Sequence, residues 1–241
     1  MAFMEVNIFS NALGMATTFN MIMPERTSEP PAVLYLLHGL SDDHSIWERR
    51  TRIELYAGEY NLAVVMPTTH RGFYTDMHGG LKYYTYISQE LPEIVSTMFN
   101  VSTAREKTFI AGLSMGGYGA VKIGLNNPDK FSAAASMSGV LDVKGFRMPP
   151  NEYTAIFGDS VTPENDPIAL AQTFASCPEK APKLFVCCGT SDELLGTNRS
   201  FKAAAEKVGL DLKYIEDEGS HSWYYWDEHI RMILKWFFTE K

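Results

Sequence analysis

Residues 107–124, KTFIAGLSMGGYGAVKIG, run from an apolar stretch with strand character through closely spaced glycines and one serine into a helical pattern of small side chains. Gly112, Leu113, Ser114, Met115 and Gly116 spell G-x-S-x-G at that junction, and the strand-to-helix context gives so short a pattern its meaning. A serine on so sharp a turn takes a strained backbone conformation, in which side chains two residues either way would collide. Glycine at 112 and 116 removes the collision. Gly116, Gly117, Gly119 and Ala120 keep the following helix small-sided, so its N-terminus can approach the sheet and aim its positive dipole end at charge developing near Ser114. The serine is expected to be presented rather than buried.

A chain of 241 residues, 45% of them hydrophobic, can bury a sizeable core as one domain spanning 1–241. A net charge of -8 and the lack of a basic run disfavour a nucleic-acid partner. The opening MAFMEVNIFS has no charged segment leading into a long apolar one, and no run of 18 apolar residues occurs, so no membrane association is expected. Three cysteines, with Cys187 and Cys188 adjacent in an apolar run, fit reduced buried thiols and a cytoplasmic location.

Short runs rich in Val, Leu and Phe recur at 33–37, 62–67, 107–112, 133–138 and 183–189, as expected of strands buried on both faces. Between them lie helical spacings: Tyr84, Ile87, Leu91, Ile94, Val95 and Met98, and later Trp226, His229, Ile230, Ile233, Leu234 and Phe237. Strands alternating with helices predict an α/β fold with a mostly parallel sheet. Pro92 predicts a kink or a new helix start within the first helical stretch. MEVNIFS and ATTFNMIM read as an antiparallel pair at the sheet edge. Residues 141–178 carry five of the twelve prolines and no obvious strand, and read as a cap-like insertion over one end of the sheet.

A serine hydroxyl is a poor nucleophile at neutral pH and needs a histidine base held by a carboxylate. Of six histidines only His221 and His229 follow Ser114. His221 stands in the turn DEGSHSWYYW, where a loop can hold it over the sheet end; His229 lies within the helical pattern and reads as packing. Asp192 follows the buried run LFVCCG, which places it at the same sheet edge as the serine, where open parallel sheets bind ligands. Asp166 falls in the insertion, Asp211 opens a strand and Asp217 belongs to an acidic run; Glu193 would substitute only if the loop turned differently. The oxyanion donors are read as the backbone N–H groups of Met115 and of Leu40, the latter in LLHGLSDDHSIW. His38 reads as a loop-fixing partner, and His44 and His70 lack metal-ligand spacing, so neither a metal nor an organic cofactor is expected. Trp47, Phe73, Tyr74 and Trp223 are candidate substrate-binding aromatics, each with core packing as its alternative, and Asp76 is read as holding its loop.

The motifs LLHGLSDDHSIW, FYTDM, GLSMGGYGAVKIGLNNPDKF, CGTSDELL and SHSWYYW, in this order over nearly the whole chain, resemble the tributyrin esterase branch of the esterase D and S-formylglutathione hydrolase family. That resemblance implies an α/β-hydrolase fold with about eight strands and helices on both faces. It implies a serine carboxylesterase for short-chain acyl, acetyl or phenolic esters, with Ser114, Asp192 and His221 as catalytic residues and Leu40 and Met115 at the oxyanion. It also implies a small-molecule ester as partner and a homo-oligomer. Formylglutathione hydrolases tend to be longer, and no stretch here is assignable to the glutathione moiety, which leaves the thioesterase as the alternative. Acyl transfer to an alcohol and a catalytically silent binding scaffold are the remaining alternatives.

Overall fold

The computed structural model describes residues 1–239. The strands β1 Ala2–Ser10, β2 Met15–Met23, β3 Ala32–Leu37, β4 Leu62–Pro67, β5 Thr108–Leu113, β6 Ala133–Met137, β7 Lys183–Gly189 and β8 Leu212–Asp217 form one sheet in the order β1-β2-β4-β3-β5-β6-β7-β8. β1 pairs antiparallel with β2, and β2 with β4; all other pairs are parallel. The fold is therefore an α/β-hydrolase fold, with the expected antiparallel pair at its edge.

Nine α-helical segments accompany these strands among the described residues: α1 Ile46–Arg50, α2 Ile53–Ala57, α3 Tyr83–Thr85, α4 Leu91–Met98, α5 Met115–Asn126, α6 Pro150–Phe157, α7 Pro167–Thr173, α8 Leu195–Val208 and α9 Trp223–Thr239. The central strands do not alternate in polarity because both faces are covered. In β3, Val33, Tyr35 and Leu37 pack into the core beneath α4, α5, α7 and α8, while Leu34 and Leu36 pack into the core beneath α1, α2 and α9. Each such large apolar side chain stabilises the fold by about 1.5–3 kcal/mol. None of the described helices is long and apolar enough to cross a membrane.

The predicted break near Pro92 takes a specific form. A π-helical turn at Tyr86–Glu90 joins α3 to α4, and Pro92 sits in the first turn of α4. Lacking an N–H, Pro92 cannot donate to the Ser88 carbonyl, which is taken instead by the Lys130 ammonium. The wider turn carries Glu90 to the β1–β2 turn, where it accepts from the Ser10 hydroxyl, from Asn11 N–H at 2.6 Å and from Ala12 N–H at 3.2 Å.

The strand order decides where chemistry can sit. β4 and β5 flank β3 on opposite sides, so crossovers leave its carboxyl end in opposite directions and open a crevice there. Leu37 pairs with Gly112, so the β3 and β5 ends are level and the Gly39–Leu40 turn faces Ser114. Residues 141–178 contain α6 and α7 but no strand. They are tied to the neighbouring loop by His78 N–H donating to Ile156 O (3.1 Å) and by an Arg71–Glu152 ion pair. Tyr118 Oη binds them to α5 by donating to Asn165 O (2.7 Å).

Replacing Glu90 by alanine removes charge-assisted hydrogen bonds that close the β1–β2 turn. A loss of about 1–3 kcal/mol is expected, seen in thermal melts as a Tm lower by roughly 3–10 °C; an unchanged Tm would remove this role.

Candidate active site

Ser114 joins β5 to α5 at φ 52°, ψ -118°, a positive-φ conformation that non-glycine residues rarely adopt. Its N–H donates to Met137 O at 2.8 Å, which pins the turn to the end of β6. The helix then presses onto β3: a Cβ at position 116 would lie 2.5 Å from Leu37 O and 2.6 Å from His38 O. Only glycine fits there, and the Ser114 side chain is left half-buried at the crevice.

Ser114 Oγ lies 3.0 Å from His221 Nε2, and His221 Nδ1 lies 3.0 and 3.1 Å from the two Asp192 carboxylate oxygens. The carboxylate holds a proton on Nδ1, leaving Nε2 to accept from the serine hydroxyl. Two loops must meet for this. A Cβ on Gly189 would fall 2.4 Å from the Gly219 backbone, and Ser191 N–H donates to Gly219 O at 2.9 Å, so the Asp192 and His221 loops lie directly against each other. The Asp192 carboxylate is fully covered. Burial pushes its pKa up, but hydrogen bonds from His221 and from Leu194 N–H (2.8 Å), together with the Ser138 hydroxyl, outweigh that and leave it below the usual aspartate value.

Sequence reading missed Ser138. It follows β6 at φ 51°, is buried, and accepts from Trp226 Nε1 at 3.2 Å, with its hydroxyl helping to hold the Asp192 pKa down. The signal available was a polar residue closing the strand next to that of Ser114. The Trp226 ring also meets the His221 ring edge-on, with centroids 4.9 Å apart.

Met115 N–H opens α5, and the Gly39–Leu40 turn abuts Ser114, since a Cβ on Gly39 would lie 3.8 Å from Ser114 Cβ. Among the described residues neither the Leu40 nor the Met115 N–H has a protein acceptor. His38 is buried between the Gly39–Leu40 turn and the loop after β4: Nδ1 donates to Gly39 O at 2.7 Å and Nε2 accepts from Thr69 N–H at 3.0 Å. Burial pulls its pKa down to about 4.

Three expected substrate-facing aromatics are corrected. Trp47 is fully buried, with Nε1 donating to Leu37 O at 3.1 Å. Phe73 packs against Tyr118 and Phe157, and Tyr74 is enclosed with its hydroxyl donating to His38 O at 2.9 Å. Positive φ at Phe73 and Tyr74 turns both rings inward, where burial is favourable. Trp223 keeps part of its surface exposed, edge-on to Trp47 and Trp226 at 5.4 and 5.1 Å. His229 is buried on Tyr225 O (2.8 Å) and Asp217 (3.1 Å), away from Ser114. Asp166 caps α7 and pairs with Lys144, and Asp76 binds the Thr85 N–H and hydroxyl, which holds its loop. A recess of about 1100 Å³ opens at the amino ends of β3, β5, β6 and β7, at the far side of the sheet from Ser114, and does not include Ser114, Asp192 or His221.

A family model described as "Putative esterase" matches residues 10–237. An acetyl esterase of Caldicellulosiruptor saccharolyticus is 32% identical, the match covering 98% of each chain. Among solved structures, the fluorophosphonate-binding serine hydrolase FphF of Staphylococcus aureus superposes with a TM-score of 0.91 at 33% identity, over 98% of each chain. The S-formylglutathione hydrolase FrmB of the same organism superposes with a TM-score of 0.88 at 34% identity, also over 98% of each chain.

Replacing Asp192 by asparagine is expected to lower kcat by about 10⁴-fold with the fold intact, because the amide can no longer hold the proton on Nδ1. Near-normal turnover with an unchanged circular dichroism spectrum would move the acid role elsewhere. His38 predicts a pH effect on stability. Its folded pKa of about 4 lies below the unfolded 6.5, so its contribution is complete above pH 6.5 and is lost as pH falls towards 4, by about 3 kcal/mol in all. The Tm of His38→Gln should therefore fall less steeply than that of wild type over this window; parallel slopes would refute the assignment.

Proposed function

Because the chain belongs to the Esterase family and is a carboxylic ester hydrolase of the serine-hydrolase type, we propose that it hydrolyses short-chain acyl esters through an acyl-enzyme on Ser114. The observation that carries this reading is the unbroken chain of hydrogen bonds from Ser114 Oγ through the His221 imidazole to the Asp192 carboxylate. Ser114 Oγ attacks the ester carbonyl carbon as His221 Nε2 takes its proton. The resulting oxyanion is held by the N–H groups of Leu40 and Met115, supplemented by the positive end of α5. His221 returns the proton to the departing alcohol. Water, deprotonated by the same nitrogen, then attacks the acyl carbon; the bond to Ser114 Oγ breaks, His221 passes the proton to Oγ, and the acid leaves. Asp192, held ionised by its hydrogen bonds, stabilises the imidazolium in both halves.

The finer substrate reading is a tributyrin-type or acetyl ester, supported by the motifs shared with the tributyrin branch and by the similarity to an acetyl esterase. Residues 141–178 are read as a cap on a single domain, supported by their bonds to the 71–79 loop and to α5. The similarity to an S-formylglutathione hydrolase favours a thioesterase as the second reading; both esters pass through the same acyl-enzyme.

Hydrolysis of p-nitrophenyl esters from acetate to laurate, with S-formylglutathione in parallel, separates the two. The expected result is a rate that falls beyond butyrate and drops by at least about 10⁴-fold in Ser114→Ala. Strong preference for S-formylglutathione would establish the thioesterase, and full activity in Ser114→Ala would overturn the mechanism.

A further inference from the structure

Lys122 lies in the middle of α5, a helix buried from Met115 to Leu125, and is completely buried. Its Nζ meets four oxygens: Tyr74 O at 2.7 Å, Thr75 Oγ1 at 2.7 Å, Asn165 Oδ1 at 3.2 Å and Phe73 O at 3.5 Å. The rings of Tyr118 and Tyr84 complete the enclosure, with centroids 4.9 and 5.5 Å from Nζ. A buried ammonium is expensive unless its protons are all engaged, and a leucine or methionine would satisfy an ordinary core position without that cost. The cage therefore calls for an account.

The group it holds is unusual. Phe73 and Tyr74 are consecutive non-glycine residues at φ 48° and 50°, a conformation that persists only where surroundings impose it. The carbonyls of this turn converge on Lys122. From the turn, the Tyr74 ring lies along α5 over Gly119, where a Cβ would come 2.5 Å from it, and its hydroxyl reaches His38 O at 2.9 Å. His38 is two residues before Leu40. A single rigid helix thus begins with the Met115 N–H and, two turns on, supports through Lys122 and Tyr74 the strand end that precedes the Leu40 N–H.

We propose that Lys122 is a positioning residue for ester hydrolysis, acting through Tyr74 to fix the Leu40 N–H relative to the Met115 N–H at the oxyanion. The proposal rests on the reading of Ser114 as nucleophile with these two donors. A hydrogen-bond donor displaced by a fraction of an ångström loses its advantage in the transition state but hardly alters ground-state binding, so the effect belongs in kcat rather than KM.

The test compares wild type with Lys122→Met, Tyr74→Phe and the double variant on p-nitrophenyl acetate, with active sites counted by a fluorophosphonate probe. Each single variant should lose roughly 10- to 100-fold in kcat per titrated site, less than removal of a whole oxyanion donor, with KM within about twofold. The Ki of a short-chain trifluoromethyl ketone, which forms the tetrahedral adduct, should rise by the same factor as kcat/KM falls. The double variant should lose little more than either single one, since both interrupt one path. A residue that merely stabilised the fold would lower Tm and the titrated fraction while leaving kcat per site and Ki unchanged, and that result overturns the proposal. Additive losses in the double variant overturn it as well. If Lys122→Met does not fold, Tyr74→Phe decides alone, because it removes only a hydroxyl. A wild type that hydrolyses no ester overturns the underlying reading of Ser114 too, whereas an active wild type with unaffected variants overturns only the role of Lys122.

Discussion

Ser114 is held at φ 52° between the last residue of β5 and the first of α5, and the arrangement of the crevice follows from keeping it there. Such a conformation costs on the order of 1–3 kcal/mol, which the surroundings must offset. They do so with the Ser114 N–H bond to Met137 O and with the close seating of α5 on the end of β3. Seating the helix requires glycine at 116; it also puts the N-terminal N–H groups of α5 beside the serine oxygen. One constraint thus produces both a hydroxyl presented at the crevice and a field that favours negative charge beside it.

Asp192 and His38 are both buried at the crevice, and each is shifted to the state its neighbours require. Asp192 is covered by protein yet stays below the ordinary aspartate range, because His221 and the Leu194 N–H donate to it. His38, equally buried, has its pKa pulled down to about 4, and its two ring nitrogens serve one as donor and one as acceptor between neighbouring loops. Two histidines at the same sheet edge therefore differ in kind: His221 is half-exposed and faces a hydroxyl and a carboxylate, while His38 is a neutral strut. A third, His229, spends both nitrogens on Tyr225 and Asp217 inside the α9 packing.

The switch in strand order at β3 puts all of this at one edge. With β4 on one side of β3 and β5 on the other, the loops after β3, β5 and β7 rise from the same end of the sheet, and the turn after β8 joins them. The recess of about 1100 Å³ at the opposite end, although larger than a small acyl ester needs, is lined by the amino ends of the same strands and by the Phe237–Phe238 end of α9. Its aromatic floor belongs to the packing of Phe109 on Phe237, centroids 4.5 Å apart.

Local sequence was enough for the strands, the edge hairpin, the break at Pro92 and the placing of Ser114, Asp192 and His221 on loops of one sheet edge. Each of these depends on short-range rules: runs buried on both faces, glycines flanking a strained serine, a proline without an N–H. It was not enough for the direction of side chains in irregular segments. Trp47, Phe73 and Tyr74 looked as suited to a substrate as to a core, and only the positive φ values of the 73–74 turn and the acceptors Leu37 O and His38 O direct them inward. Ser138 and Lys122 escaped notice for the same reason: their partners lie 88 and 48 residues away, at Trp226 and Tyr74. The sequence by itself determined which residue types stand at the end of each strand, because backbone geometry limits what a sharp strand-to-helix turn accepts. The tertiary structure alone decided which of them meet, because a hydrogen bond of about 3 Å between distant loops depends on how every intervening element packs.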